Sequence, residues 1–240
     1  MSASFLVLQH VACEPPAAYE DVLRAAGHDV VRVMVAGGEP LPARDGHAGI
    51  IAMGAPMSVN DVGEYPWLAP ELEYVAAAVR AGTPYWGICF GAQLLAGALG
   101  ADVVQGPEAE VGVLPVELTP EAAEDPVFAG LPAALPAVQW HSDTFTLPEG
   151  AVHLASSPAY PNQAFRWGRA YGLQFHLEAP AALVEEWLAI PEYAASLRAT
   201  LGEGAADPFI AAIRDREAEM TGLATRLFSR WLEHGGRGEG

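Results

Sequence analysis

The sequence predicts an α/β fold in which a doubly wound, mostly parallel sheet carries an antiparallel extension. Three observations lead there. Over roughly the first hundred residues short apolar runs alternate with helical patterns, which implies parallel strands joined by crossover helices. From about 101 to 176 strand-like runs follow one another across short turns, the mark of antiparallel pairing. After His176 the pattern becomes helical.

The early runs Phe5–His10, Val30–Val35, Gly49–Gly54 and Pro84–Cys89 have strand lengths and are bounded by glycine, proline or polar residues. Helical patterns cover Ala18–Ala26, Leu68–Arg80 and Phe90–Leu99, and each meets a glycine just past its end: Gly27, Gly82 and Gly100. Glycine there ends a helix without steric cost. The later strand-like runs are Val111–Leu118, Val138–Trp140, Val152–Ser156, Gln163–Trp167 and Ala170–His176. Helices are then expected over Ala181–Leu188 and about 207–234. In the second, Phe209, Ile213, Met220, Leu223, Leu227, Phe228 and Trp231 form one apolar stripe, the kind that packs on its own core. No repeat, low-complexity linker or break in composition divides the chain. Residues 1–234 are therefore expected to form a single domain and 235–240 a flexible, frayed tail.

The chain has 240 residues, 51% hydrophobic and 18% charged, which suffices for a sizeable core. Its 30 acidic residues outnumber 12 basic ones, giving a net charge of −18, and all 12 cations are arginine. Without lysine, Schiff-base and P-loop lysine chemistry are excluded. Nucleic acid and anionic membranes need clustered cations, so neither is an expected partner. The apolar start at 5–8 is broken by Gln9 and His10 and follows no positive charge, unlike a signal peptide. The apolar stretch 85–101 falls short of the roughly 18–20 residues that span a membrane. Two cysteines, Cys13 and Cys89, supply neither a disulfide framework nor a structural zinc site. A reducing, cytoplasmic setting is expected, with no metal and no cofactor, and with Cys13 a plain loop cysteine after the first strand.

The chemistry concentrates at Pro84–Leu95, where an apolar strand enters Gly87-Ile88-Cys89-Phe90-Gly91 and then a helix. A nucleophile on so sharp a turn needs neighbours without Cβ atoms at −2 and +2, here Gly87 and Gly91. The start of a helix also presents unpaired N–H groups to the Cys89 sulfur and favours its thiolate, the reactive form. Alone this pattern also fits a small buried core residue. The candidate base is His176, at the end of the last strand-like run, and period-two alternation puts Glu178 on the same side. A carboxylate so placed fixes the tautomer of the imidazole and stabilises its cation.

These residues, Gly87 to Gln93 followed by Gln174-Phe175-His176-Leu177-Glu178, resemble the class I, or triad, glutamine amidotransferase family. The likeness is nearest to stand-alone relatives of the guanosine-monophosphate synthetase glutaminase domain. Gly54-Ala55-Pro56-Met57-Ser58 resembles the family's Gly-Gly-Pro loop, and Trp140-His141-Ser142-Asp143 its Ser-His-Gly-Asp segment. The resemblance spans about residues 5–190 and implies a flavodoxin-like three-layer fold. It implies that Cys89 is the nucleophile, His176 the base and acid, and Glu178 its orienter. The backbone N–H groups of Ala55 and Phe90 would form the oxyanion hole. Gln93 and Asp143 would line the substrate pocket, Asp143 matching an α-ammonium, while His141 is structural. Ala55 and Ser142 stand where the family has glycine, and Leu177 where it often has proline; these changes bear on the substrate rather than the reaction.

The implied reaction is hydrolysis of the glutamine γ-amide to glutamate and ammonia through a γ-glutamyl thioester. An unidentified ammonia-accepting synthetase is the partner such a reaction would feed. An alternative within the same chemistry is a γ-glutamyl peptidase or hydrolase acting on larger γ-glutamyl amides. From a different class, a non-catalytic binding subunit would need a decayed site, against which the intact Cys89, His176 and Glu178 argue.

Overall fold

The computed structural model describes residues 3–235, so the expected tail at 235–240 falls, from 236 on, outside the described residues. Nine strands form one sheet: β1 (Ser4–Gln9), β2 (Asp29–Met34), β3 (Gly49–Ala52), β4 (Tyr85–Ile88), β5 (Val103–Leu118), β6 (Ala134–Phe145), β7 (Val152–Ser156), β8 (Ala164–Trp167) and β9 (Ala170–Leu173). The helices are α1 (Ala18–Ala25), α2 (Leu68–Arg80), α3 (Phe90–Ala98), α4 (Ala181–Trp187), α5 (Pro191–Leu201) and α6 (Ala206–Gly235). The strand order is β2-β1-β3-β4-β9-β8-β7-β5-β6. Its first five strands pair in parallel, and from β9 onward every pairing is antiparallel. This is the doubly wound sheet with antiparallel extension, and the order of its parallel half is the flavodoxin-like one.

Alternation along the strands sorts the core into two layers. Phe5 and Val7 of β1, Ile51 of β3 and Trp86 of β4 face α1 and α6, where they join Tyr19, Leu23, Phe228 and Trp231. Leu6, Leu8, Ile50, Ala52 and Tyr85 face α2 and α3, against Val75 and Leu94. The inner parallel strands β1, β3 and β4 are thus apolar on both faces, as a sheet sandwiched between helices requires, while β2 at the edge is largely exposed. Trp86 anchors the first layer, its ring centroid 5.7 Å from those of both Phe228 and Trp231.

Four elements depart from the sequence reading. Strand β6 runs Ala134–Phe145 where only Val138–Trp140 is expected, lengthened by its ladder with β5. Strand β5 starts at Val103 rather than Val111, because the ladder with β6 absorbs Gly106 and Pro107 in a register shift between Gln105 and Glu110. Helix α5 has no counterpart in the pattern analysis. Strand β9 stops at Leu173, and residues 174–178 run irregularly, His176 pairing only with Val138 through reciprocal N–H···O bonds of 2.9 and 3.0 Å. The strand ladder therefore does not continue through Glu178, and a direct hydrogen bond, rather than strand alternation, holds His176 and Glu178 together.

Candidate active site

Open α/β sheets hold their sites beyond the carboxyl ends of the strands, near the point where the strand order reverses. Here the ends of β1, β3, β4 and β9 converge. Strand β4 leads straight into α3, and Cys89 occupies the junction with φ 52° and ψ −108°. That left-handed backbone is uncommon for a residue with a Cβ and costs on the order of 1–3 kcal/mol. Close packing enforces it. A Cβ on Gly87 would overlap the carbonyl oxygen of Gly91, and one on Gly91 would overlap that of Ala52. The Cys89 N–H donates to Leu173 O at 2.7 Å, which ties the turn to the end of β9.

His176 and Glu178 lie at that same end. Glu178 Oε1 is 2.7 Å from His176 Nδ1, and Glu178 Oε2 accepts the Leu177 N–H at 3.0 Å, so the carboxylate is fixed by its own segment. Both side chains are buried, and the imidazole meets the Trp187 ring edge-on at 4.9 Å. Burial disfavours charge on His176. The Glu178 carboxylate, with the neighbouring Cys89 thiol, outweighs it and holds the imidazole pKa well above its ordinary value. The structure thus brings Cys89, His176 and Glu178 into one connected group. Cys13 stands apart: burial and the neighbouring Glu14 push its thiol up to about 11, so it stays protonated.

A cavity of about 350 Å³, within the range of about 300–1,000 Å³ usual for small-molecule sites, opens beside the sulfur. Ala55, Cys89, Gln93 and Asp143 line it, so four residues singled out in the sequence share one pocket. Among the described residues no hydrogen bond engages the backbone N–H of Ala55 or of Phe90, the first residue of α3. Gln93 does not point free into the cavity. Its Nε2 donates to Gln174 Oε1 at 3.2 Å and to Asp143 O at 3.4 Å, while Gln174 Nε2 donates to Cys89 Sγ at 3.6 Å. His141 is held on both sides, with Nδ1 at 2.9 Å from Asp143 O and Nε2 at 3.1 Å from Glu110 Oε2.

Several contributors escaped the sequence reading. Gln174 stands two residues before His176 and was visible only as part of the motif. Glu192, Tyr193 and Ser196 reach the cavity from α5, and Asp61 from the loop after β3. Glu14, at the end of β1, is buried beside Gly54 and His176; its one signal was its place after a strand that ends in the site. The cavity wall carries the carboxylates of Asp61, Asp143 and Glu192, and among the described residues no arginine lines it. No group of three or more histidine, cysteine or acidic side chains among the described residues is arranged to hold a metal ion. No helix among them is long and apolar enough to cross a membrane.

Known proteins resemble the chain in sequence and in fold. The family profile "Glutamine amidotransferase class-I" matches residues 21–184. The glutamine amidotransferase-like protein YfeJ of Salmonella typhimurium is 33% identical, over 77% of this chain and 79% of that protein. The glutamine-hydrolysing GMP synthase of Aeropyrum pernix is 28% identical over 92% of this chain, which spans 44% of that enzyme's length. Among solved structures, a glutamine amidotransferase from Thermotoga maritima superposes with a TM-score of 0.88 at 29% identity, covering 97% of this chain and 99% of that one. A glutamine amidotransferase from Methylobacillus flagellatus gives the same TM-score at 30% identity, covering 100% and 98%.

Proposed function

The chain belongs to the class-I glutamine amidotransferase family, and from that premise we propose that it hydrolyses a γ-glutamyl amide, glutamine in the first instance, with residues 1–234 acting as one catalytic domain. The observation that carries this reading is the grouping of Cys89, His176 and Glu178 beside a pocket whose wall includes Cys89. His176 takes the Cys89 proton and the thiolate attacks the γ-carbonyl carbon. The resulting oxyanion is met by the N–H groups of Ala55 and Phe90. The C–N bond then breaks, His176 returns the proton to the departing nitrogen, and ammonia or an amine leaves. A water molecule, deprotonated by His176, attacks the γ-glutamyl thioester and releases glutamate with the thiol restored.

Supporting this assignment of roles, the two backbone donors are uncommitted and the imidazole is biased toward its cation. The relative from Aeropyrum is a GMP synthase, which by its name uses glutamine hydrolysis in a synthesis; an ammonia-accepting synthetase is the corresponding partner proposed here. A second reading rests on the three carboxylates that line the cavity. They favour a γ-glutamyl amide whose leaving group is itself cationic, such as that of a diamine, over one with an acidic leaving group. The test is glutamate release from glutamine and from γ-glutamyl derivatives of neutral, acidic and basic amines, with Cys89→Ala as control. Turnover of glutamine with loss in the variant supports the first reading, a preference of tenfold or more for basic amides supports the second, and no turnover together with no alkylation of Cys89 by a glutamine-like electrophile refutes both.

A further inference from the structure

Glu14 is a buried carboxylate that the reaction above does not use. It sits in the turn closing β1, where its N–H donates to Val11 O at 3.2 Å and the prolines 15 and 16 follow. Its side chain is 2% exposed. Glu14 Oε1 accepts a short hydrogen bond from the Tyr193 hydroxyl, on the α5 wall of the cavity. Glu14 Oε2 lies over the Cα of Gly54: a Cβ there would overlap this oxygen and stand 3.4 Å from His176 Cε1. Carboxylate and imidazole therefore occupy the two sides of a space that only glycine leaves open.

The segment carrying Glu14 is held firmly. Ala17 is, with Cys89, one of the two non-glycine residues at positive φ among those described, and the next residue's N–H reaches Glu178 O at 3.5 Å. Local backbone strain kept at two points of one site indicates that the surrounding structure over-determines both. The charged and titratable groups around His176 are Glu178 from its own segment, Cys89 from the start of α3 and Glu14 from the β1 turn. Around Glu14 are His176, Tyr193, Glu178, His10 and the adjacent Cys13.

We propose that Glu14 is a positioning residue, a second carboxylate that stabilises the His176 cation from an edge Glu178 does not cover and that couples the imidazole to the α5 wall of the pocket through Tyr193. The proposal rests on His176 being the base. A negative charge within a few ångströms in a dry site favours the imidazolium, and with it the Cys89 thiolate. Burial leaves the Glu14 pKa raised overall, while the charge of His176 and the Tyr193 hydrogen bond pull it down, so the His176 cation is what favours the ionised carboxylate and each charge supports the other. Tyr193 adds a mechanical link: movement of α5 on filling the pocket changes the bond to Glu14 and hence the environment of the base.

The test uses the full chain labelled with ¹³C at histidine Cε1, with the His176 resonance followed through a pH titration. In Glu14→Gln, which keeps an oxygen to accept from Tyr193 but removes the charge, the His176 midpoint is expected to fall by about half a pH unit or more. An unchanged midpoint in a variant with the wild-type amide fingerprint overturns the proposal. Gly54→Ala is the second variant, because its methyl group must displace Oε2 while leaving the charge in the protein; the same downward shift is expected and no shift again overturns it. Turnover adds a separate reading, with kcat of Glu14→Gln falling at least fivefold and KM changing less than twofold. The titration needs no substrate, so a protein that hydrolyses no γ-glutamyl amide yet shows the midpoint shift would refute the proposed function and leave the coupling between Glu14 and His176 standing.

Discussion

Two buried histidine–glutamate pairs lie near the cavity, one next to Cys89 and one through His141 in its wall, and their surroundings differ. At the end of β9, Glu178 engages His176 only at Nδ1 and leaves the other ring nitrogen free of a carboxylate among the described residues, with Cys89 nearby. In the antiparallel half, His141 has an acceptor at each nitrogen, and Glu110 is saturated by Ser157 Oγ at 2.8 Å and Gln163 Nε2 at 2.7 Å besides His141. Burial raises the Glu110 pKa, but the His141, Ser157 and Gln163 hydrogen bonds overcome it and leave that pKa below the ordinary value. The lesson is that a buried His–Glu pair becomes chemistry when one ring nitrogen is left to a reactive neighbour. When every valence is satisfied it becomes scaffold.

Substitutions can break this comparison. His176→Ala is expected to lower kcat/KM for the γ-glutamyl substrate about 10⁴-fold, whereas His141→Ala lowers it about tenfold by loosening the Asp143 backbone; comparable losses would mean that the two pairs share one role. Glu178→Gln should cost about 10³-fold in kcat, because the imidazole loses the partner that sets its tautomer and stabilises its cation. Glu110→Gln should leave kcat within about tenfold and instead destabilise by about 3 kcal/mol, lowering Tm by about 6–12 °C in calorimetry.

The smallest effect is in pH. The lowered Glu110 pKa contributes stability that is complete above the ordinary carboxyl value of about 4.3 and is lost as pH falls through its folded value. The raised His176 pKa contributes stability that is complete below the ordinary imidazole value of about 6.5 and is lost as pH rises through its folded value. Urea denaturation across pH should therefore show Glu110→Gln flattening the acid limb and Glu178→Gln flattening the alkaline limb. A variant that flattens the opposite limb would reverse the assignment of the two pairs.

How much of this was legible in the sequence follows from how local each signal is. The run from Tyr85 into Phe90 carries strand pattern, glycines and helix start within a few residues, and the structure places β4, the elbow and α3 within a residue of their expected bounds. Strand β5 was shortened in reading because Gly106 and Pro107 are turn signals that only pairing with β6 overrides. Helix α5 leaves mainly Tyr193 and Leu197 buried, too sparse a stripe to read as periodic. Glu14 has no local signature beyond its place after β1. Its meaning comes from Gly54, His176 and Tyr193, which only the folded sheet brings beside it.

Strand β9 pairs with β4 although residues 89–169 lie between them in the chain. A growing or truncated polypeptide that ends before Ala170 thus carries the cysteine without the histidine proposed as its base, and without the Leu173 carbonyl that holds the elbow's N–H. The apolar edge of β4 is also left open in such a chain, inviting aggregation. So distant a pairing must form against a large loop-closure entropy and is expected late in folding. On the proposed mechanism, reactivity of the thiol is tied to completion of the sheet: the event that seals the exposed strand edge also brings the sulfur its base.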